Sequence, residues 1–192
     1  MKRLAAYVLP AVLAAGASSG CAVDVTTSPP PACVSPEDEP NRLVVLMAQA
    51  VPSATRLPCV RGLPVGWDMG MVQIEDGRGR FWLDSDRDGV QAVLVEVTAS
   101  CDVTGTTEVP SERPGTRRFE RVTRVEGGYG GSRHYTYLGG CTTYVFDLHG
   151  ETLAQPLSAI GAALDFVNRA GLREQVRRAT DGRLELDPEE GS

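Results

Sequence analysis

Residues 81–97 read FWLDSDRDGVQAVLVEV, and two structures compete for them. Asp84, Asp86 and Asp88 alternate in front of Gly89, which is how a D-x-D-x-D-G calcium loop opens, with carboxylate ligands and a glycine at the sharp turn. Such a loop also needs a bidentate acid at its twelfth position. Counted from Asp84 that position is Val95, and Glu96 comes one place late. Beyond Gly89, Val93, Val95 and Val97 alternate with Glu96, which is the period of a strand and not of a helix. Glu96 therefore points away from Val95, and a slip of one residue cannot recruit it. With residues 78–84 as the preceding strand, DSDRDG becomes the loop of a β-hairpin. Its aspartates accept hydrogen bonds from the turn's own N–H groups and Gly89 takes positive φ. Weak calcium binding at Asp84, Asp86 and Asp88 is the alternative, of order 0.1–1 mM for extracellular modules.

The same punctuation extends along the chain. Residues 71–75, 78–84, 90–100, 116–126, 133–138 and 141–148 form short runs of strand composition separated by Asp-Gly and Gly-rich pieces. Before them, residues 42–51 (RLVVLMAQAV) predict a helix with Asn41 as N-cap and Pro52 as stop. From Pro156 the period changes. Leu157, Ile160, Leu164 and Val167 fall on one helical face ending near Gly171, a second helix is expected at 172–179, and RLEL (183–186) reads as a closing strand. Strands first and helices last predict an α+β fold: a small antiparallel sheet with an N-terminal helix and C-terminal helices.

The first residues carry an address. Lys2 and Arg3 precede an apolar run, residues 4–17, and then small residues: the layout of an export signal. The run falls short of the roughly 20 apolar residues that span a bilayer, and Pro10 interrupts it. The exit offers two cuts. Ala15-Gly16-Ala17 fits an A-x-A site. Ser18-Ser19-Gly20-Cys21 resembles the lipobox of bacterial lipoproteins, with Ser18 where an aliphatic residue is usual. That resemblance implies lipidation of Cys21 and anchoring, through palmitate-type acyl chains, on the outer face of the cytoplasmic membrane.

Cysteine arithmetic favours the second cut. Cys21, Cys33, Cys59, Cys101 and Cys141 are an odd set for an exported chain, and lipidating Cys21 leaves four to pair. Of the three pairings, Cys33–Cys59 and Cys101–Cys141 are expected, since the first two flank the predicted helix and the others lie at the ends of strands that could be neighbours. The organisation that follows is a signal peptide at 1–20, a Pro-rich tether at 21–41 and one globular domain at 42–192.

Chemistry is constrained chiefly by composition. The 192-residue chain has net charge −6, and losing Lys2 and Arg3 makes it −8, which disfavours nucleic acid as a partner. Lys2 is the only lysine, so a mature chain has no Schiff-base, P-loop or general-base lysine. No C-x-x-C or G-x-S-x-G motif occurs, and Ser158 reads as a helix cap. The stretch EGGYGGSRHYTYLGG (126–140) reads as hairpin turns around a strand, with Tyr129, Arg133, Tyr135 and Tyr137 as a candidate binding face. Arg113, Arg117, Arg118, Arg121 and Arg124, interleaved with Glu112, Glu120 and Glu126, read as a solvated face with cross-strand ion pairs.

Taken together, the Asp-rich turn, "SCDV", "PGTRRFERV", the Tyr-rich strand and "GGC" resemble uncharacterised secreted lipoproteins of actinobacteria over most of the mature chain. The expectation is a lipid-anchored, non-catalytic envelope domain that binds a protein or small ligand without a cofactor. The competing expectation is an envelope hydrolase using His149 with Asp147 and Glu151.

Overall fold

A computed structural model describes residues 29–34, 39–149 and 154–187. Its hairpin at the centre of the chain is the expected one. β2 (Trp67–Glu75), β3 (Arg78–Ser85) and β4 (Gly89–Thr98) form an antiparallel meander, and Gly89 turns at φ +92°. Val93, Val95 and Val97 are buried, while Glu96 faces the other way, toward Arg78 and Arg80. Four more strands complete the sheet: β5 (Thr107–Val109), β6 (Arg117–Arg124), β7 (Gly128–Tyr137) and β8 (Gly140–His149). The order is β2-β3-β4-β8-β7-β6-β5, antiparallel throughout.

One face of this sheet is covered. α1 (Arg42–Ala50) starts at Asn41, whose side chain accepts hydrogen bonds from the N–H groups of Leu43 and Val44. Val44 and Met47 enter the core, and a Cβ on Gly79 of β3 would lie 2.7 Å from the Met47 side chain. Glycine there lets helix and sheet meet closely. A fully buried residue, Arg169, donates to the carbonyls of Ala48 and Val51 and so satisfies the C-terminal end of α1. Both expected disulfides, Cys33–Cys59 and Cys101–Cys141, are present. Such bridges contribute about 2–4 kcal/mol each in small exported domains and belong to an oxidising, extracytoplasmic environment. Among the described residues no helix is long and apolar enough to cross a membrane.

The structure corrects four local readings. The helical face drawn through Leu164 and Val167 is interrupted: α2 spans Ala154–Ala163, then Leu164–Asn168 is a strand, β9, and Arg169–Ala179 is α3. Gly171 lies inside α3, and Ser158 lies within α2 rather than capping it. β9 exists because it pairs with β1 (Arg56–Val60), register Arg56↔Asn168 to Val60↔Leu164. Pro58 argues against a strand at β1, but the N–H of Val60 points to Pro31 O, away from β9. Pro58, two residues earlier, has its missing donor on that same outer edge. Residues 183–186 form no strand.

The fourth concerns the glycines, and the segment ahead of α1 has contacts of its own. Residues 29–34, assigned on composition to the tether, run beside β1 through the Ala32↔Val60 bridge and the Cys33–Cys59 bond. The GGYGG segment, taken as turn, is largely strand β7. A Cβ on Gly131 would lie 2.6 Å from the Arg121 carbonyl oxygen and 3.1 Å from the Tyr129 hydroxyl, so strand β6 and the Tyr129 ring occupy its space. Cys21, the signal segment and Glu151 lie outside the described residues.

Candidate functional site

Strand alternation decides which side chains the covered face presents. Across the sheet, Phe81, Val95, Tyr144, Arg133 and Glu120 stand in one register, and Val97, Thr142, Tyr135 and Arg118 in the next. The face is apolar at β3, β4 and β8, then becomes charged at β7 and β6. At that charged end the β1–β9 ribbon and α2 do not close down fully. They leave a cleft of about 730 Å³ lined by Arg56, Arg61, Arg113, Arg133, Glu112 and Asp165 over an apolar floor of Leu157, Leu164 and Phe166.

Arg113 is the centrepiece. It reaches in from the β5–β6 loop, pairs with Asp165 and donates to the Leu164 carbonyl. Its guanidinium lies 5.3 Å from the Tyr135 ring centroid and 5.1 Å from that of Phe166. Planar delocalised cations favour this stacking, which also holds the fork at a defined angle. Arg61 shares Asp165, with Nε 2.6 Å from Oδ2. Arg133 donates to Glu120 at 2.6 Å beneath α2, where a Cβ on Gly161 would lie 3.4 Å from its Nη1. Arg56 differs from these three. It donates to the Pro114 carbonyl at 2.8 Å, and among the described residues it has no carboxylate within ion-pair distance. Room for it comes from Gly115, at φ +74°, whose Cβ would lie 2.7 Å from Arg56 Nη2.

Glu112 and Glu120 are held ionised. Burial opposes the charge on Glu112, but donation from Tyr135 (2.6 Å), its own backbone N–H and Arg118 outweighs it and lowers the group to about 2. Glu120 is lowered too, with burial offset by Arg118 and Arg133. Around the cleft four guanidiniums thus face two carboxylates, in a chain whose overall charge is −6. That local excess of positive charge over an apolar floor suits a carboxylate or phosphate carried on an apolar body.

Residues singled out from sequence fare differently. Tyr129, Arg133, Tyr135 and Tyr137 do share one face of β7, but it is the covered one. Tyr135 is fully buried, Tyr137 donates to the Arg56 carbonyl, and Tyr129 packs edge-on against Phe146. Only Arg133 of the four lines the cleft. The arginine run splits by alternation at Arg117 and Arg118, and the register shift between Val122 and Arg124 resets it at Arg124. Arg117 pairs with Glu108 on the open face, Arg118 turns inward to Glu112 and Glu120, and Arg124 pairs with Asp147.

Each aspartate of the hairpin loop has its own protein contact. Asp84 accepts from the Gln91 N–H at 2.7 Å and Asp86 lies against Gly66. The buried Asp88 accepts from Ser85 Oγ at 2.9 Å and the His149 N–H at 2.8 Å, tying the hairpin to the end of β8. His149 Nε2 is 4.0 Å from Asp147, and both side chains are more than half exposed, at 52% and 61%. His134 lies on the open face of the sheet between Ser132 Oγ (2.9 Å) and Thr143 Oγ1 (3.0 Å), with burial lowering its pKa. A hydroxyl stands where a hydrolase would need an orienting carboxylate.

Sequence reasoning missed Arg56, Arg61, Asp165 and Phe166. Their signal was present but weak: arginines bracketing LPCV, and an acid and an aromatic side by side within LDFVN. Searches against protein-family models, curated proteins and solved structures found no match to this chain.

Proposed function

We propose that this chain is an exported, non-catalytic binding domain, anchored through lipid on Cys21 outside the cytoplasmic membrane, that holds a small carboxylate with an apolar body. The convergence of Arg56, Arg61, Arg113 and Arg133 on one cleft carries the reading. Asp165 and Glu112 answer part of that charge, and Arg56 retains donors for a ligand. The stacked Arg113 offers its edge at the cleft while Phe166 and Leu164 supply apolar contact. Histidine is absent from the lining, and neither His134 nor His149 opens onto it. Carboxylate capture needs no chemistry beyond this, which is why binding is favoured over turnover.

Calorimetric titration with benzoate against benzamide tests the site. Benzoate should bind, benzamide should not, and affinity should fall with added salt as expected for partly exposed charges. Equal binding of the two, or benzoate affinity unchanged in Arg56→Gln, would sink it. The anchor is tested separately by intact mass of membrane-fraction protein. A mature chain beginning at Ser18, or membrane retention unchanged in Cys21→Ser, would overturn the lipid assignment without touching the cleft.

A further inference from the structure

On the sheet's open face, Cys101, His134 and Cys141 offer three donor atoms that all lie within 4.8 Å of one another. Three separate segments bring them together. Cys141 opens β8 opposite Thr98 at the end of β4, Cys101 follows that end, and His134 stands on β7 diagonal to Cys141. Around a tetrahedral zinc ion, with Zn–S near 2.3 Å and Zn–N near 2.0–2.1 Å, donors sit about 3.5–3.8 Å apart. His134 is therefore within reach of both sulfurs, and these, bonded to each other in the disulfide, have to part to that spacing before an ion can enter. The other disulfide is built differently: among the described residues Cys33–Cys59 belongs to no such group.

We propose that Cys101, Cys141 and His134 form a zinc-class metal site that the disulfide keeps closed and that thiol reduction opens. A dithiol reductant gives two electrons and two protons to the S–S bond and itself becomes a disulfide. The two protein thiols then release their protons as a divalent zinc ion binds both thiolates and the imidazole. Two thiolates neutralise the ion, and softness matches thiolate and imidazole to a borderline d¹⁰ cation. One ring nitrogen of His134 ligates while the other keeps its hydroxyl partner, Ser132 or Thr143, which orients the ring. Three protein donors leave a fourth position for water. Metal occupancy and the disulfide exclude each other, so this face reports the redox state of its surroundings, independently of the arginine cleft.

The full-length chain can be titrated with Co²⁺ and Zn²⁺ before and after phosphine reduction, watching for thiolate-to-cobalt charge-transfer absorption. The reduced protein should take one Co²⁺ per chain with that band, displaced by Zn²⁺, and the oxidised protein should show none. His134→Ala should weaken binding at least about tenfold. Cys21→Ser/Cys33→Ser/Cys59→Ser, which removes the other thiols, should keep the band. No band in the reduced wild type, or equal affinity in His134→Ala, overturns the proposal. The second outcome also identifies binding by an unfolded dithiol, so loss of structure on reduction cannot hide failure.

Discussion

The two ends of the sheet's covered face follow the same side-chain alternation on different strands and do opposite things. At β3, β4 and β8 the inward positions are Phe81, Leu83, Val93, Val95 and Phe146, all but fully buried beneath α1 and the β1–β9 ribbon. At β7 and β6 the equivalent positions are Arg133, Arg118 and Glu120, which pair with one another beneath α2. Apolar surface removed from water is worth about 25 cal/mol per Å², so the first end drives folding. The second end recovers far less, because each ion pair must offset the desolvation of its own charges. A fold tolerates such an end when the other end supplies the stability, which leaves the charged groups available for a ligand.

The largest expected effect lies at the apolar end. Phe81→Ala should cost about 3–5 kcal/mol in urea unfolding through loss of burial and a residual cavity. Benzoate affinity of the folded fraction should stay unchanged. If affinity fell with stability, the two ends would not be separable. Next, Arg113→Met should cost about 2 kcal/mol by leaving Asp165 with the exposed Arg61 as its remaining partner, discounted from a fully buried pair because both side chains keep some exposure. Adding Asp165→Asn should recover part of that stability, and neither variant should bind benzoate. A single and a double variant of equal stability would show that the pair is not coupled.

Tyr135→Phe removes one donor from Glu112 and should cost about 1 kcal/mol at neutral pH. Its pH dependence is sharper. Glu112 is lowered in the folded state from 4.5 to about 2, so its contribution is present above 4.5 and is lost as pH falls toward 2. In Tyr135→Phe that loss should still begin near 4.5 but should be smaller and level off at a higher pH, read from urea midpoints measured between pH 7 and pH 2. Coincident acid limbs for wild type and variant would remove Tyr135 from the network. The smallest stability effect belongs to Arg56→Gln, within about 0.5 kcal/mol because its half-buried side chain has one exposed hydrogen bond and no ion pair among the described residues. The same change should abolish benzoate binding. A large stability loss there would make Arg56 structural.

Local rules read much of this molecule directly. Asn41 capped the helix it was expected to cap, and Val93, Val95 and Val97 turned inward as alternation required. Cys33–Cys59 and Cys101–Cys141 paired as proximity to helix and strand ends suggested. These signals act over a few residues, where backbone geometry and side-chain period leave one choice. The tyrosines show where that stops. Alternation put Tyr129, Tyr135 and Tyr137 on one face of β7, but which face would be covered depended on where α2 and the β1–β9 ribbon settled.

Leu164–Asn168 is the clearest division between the two levels. Its apolar spacing satisfied a helical period as well as a strand, and only pairing with Arg56–Val60, more than a hundred residues earlier, chose the strand. That choice sets Asp165 and Phe166 beside Arg113 and thereby creates the cleft. By itself the sequence determined an antiparallel α+β core, its hairpins and its disulfide staples, because each rests on local period, capping or turn chemistry. Tertiary structure alone decided the arginine cleft and the Cys101–His134–Cys141 cluster. Both join segments distant in the chain, and no short-range preference records which distant segments will meet.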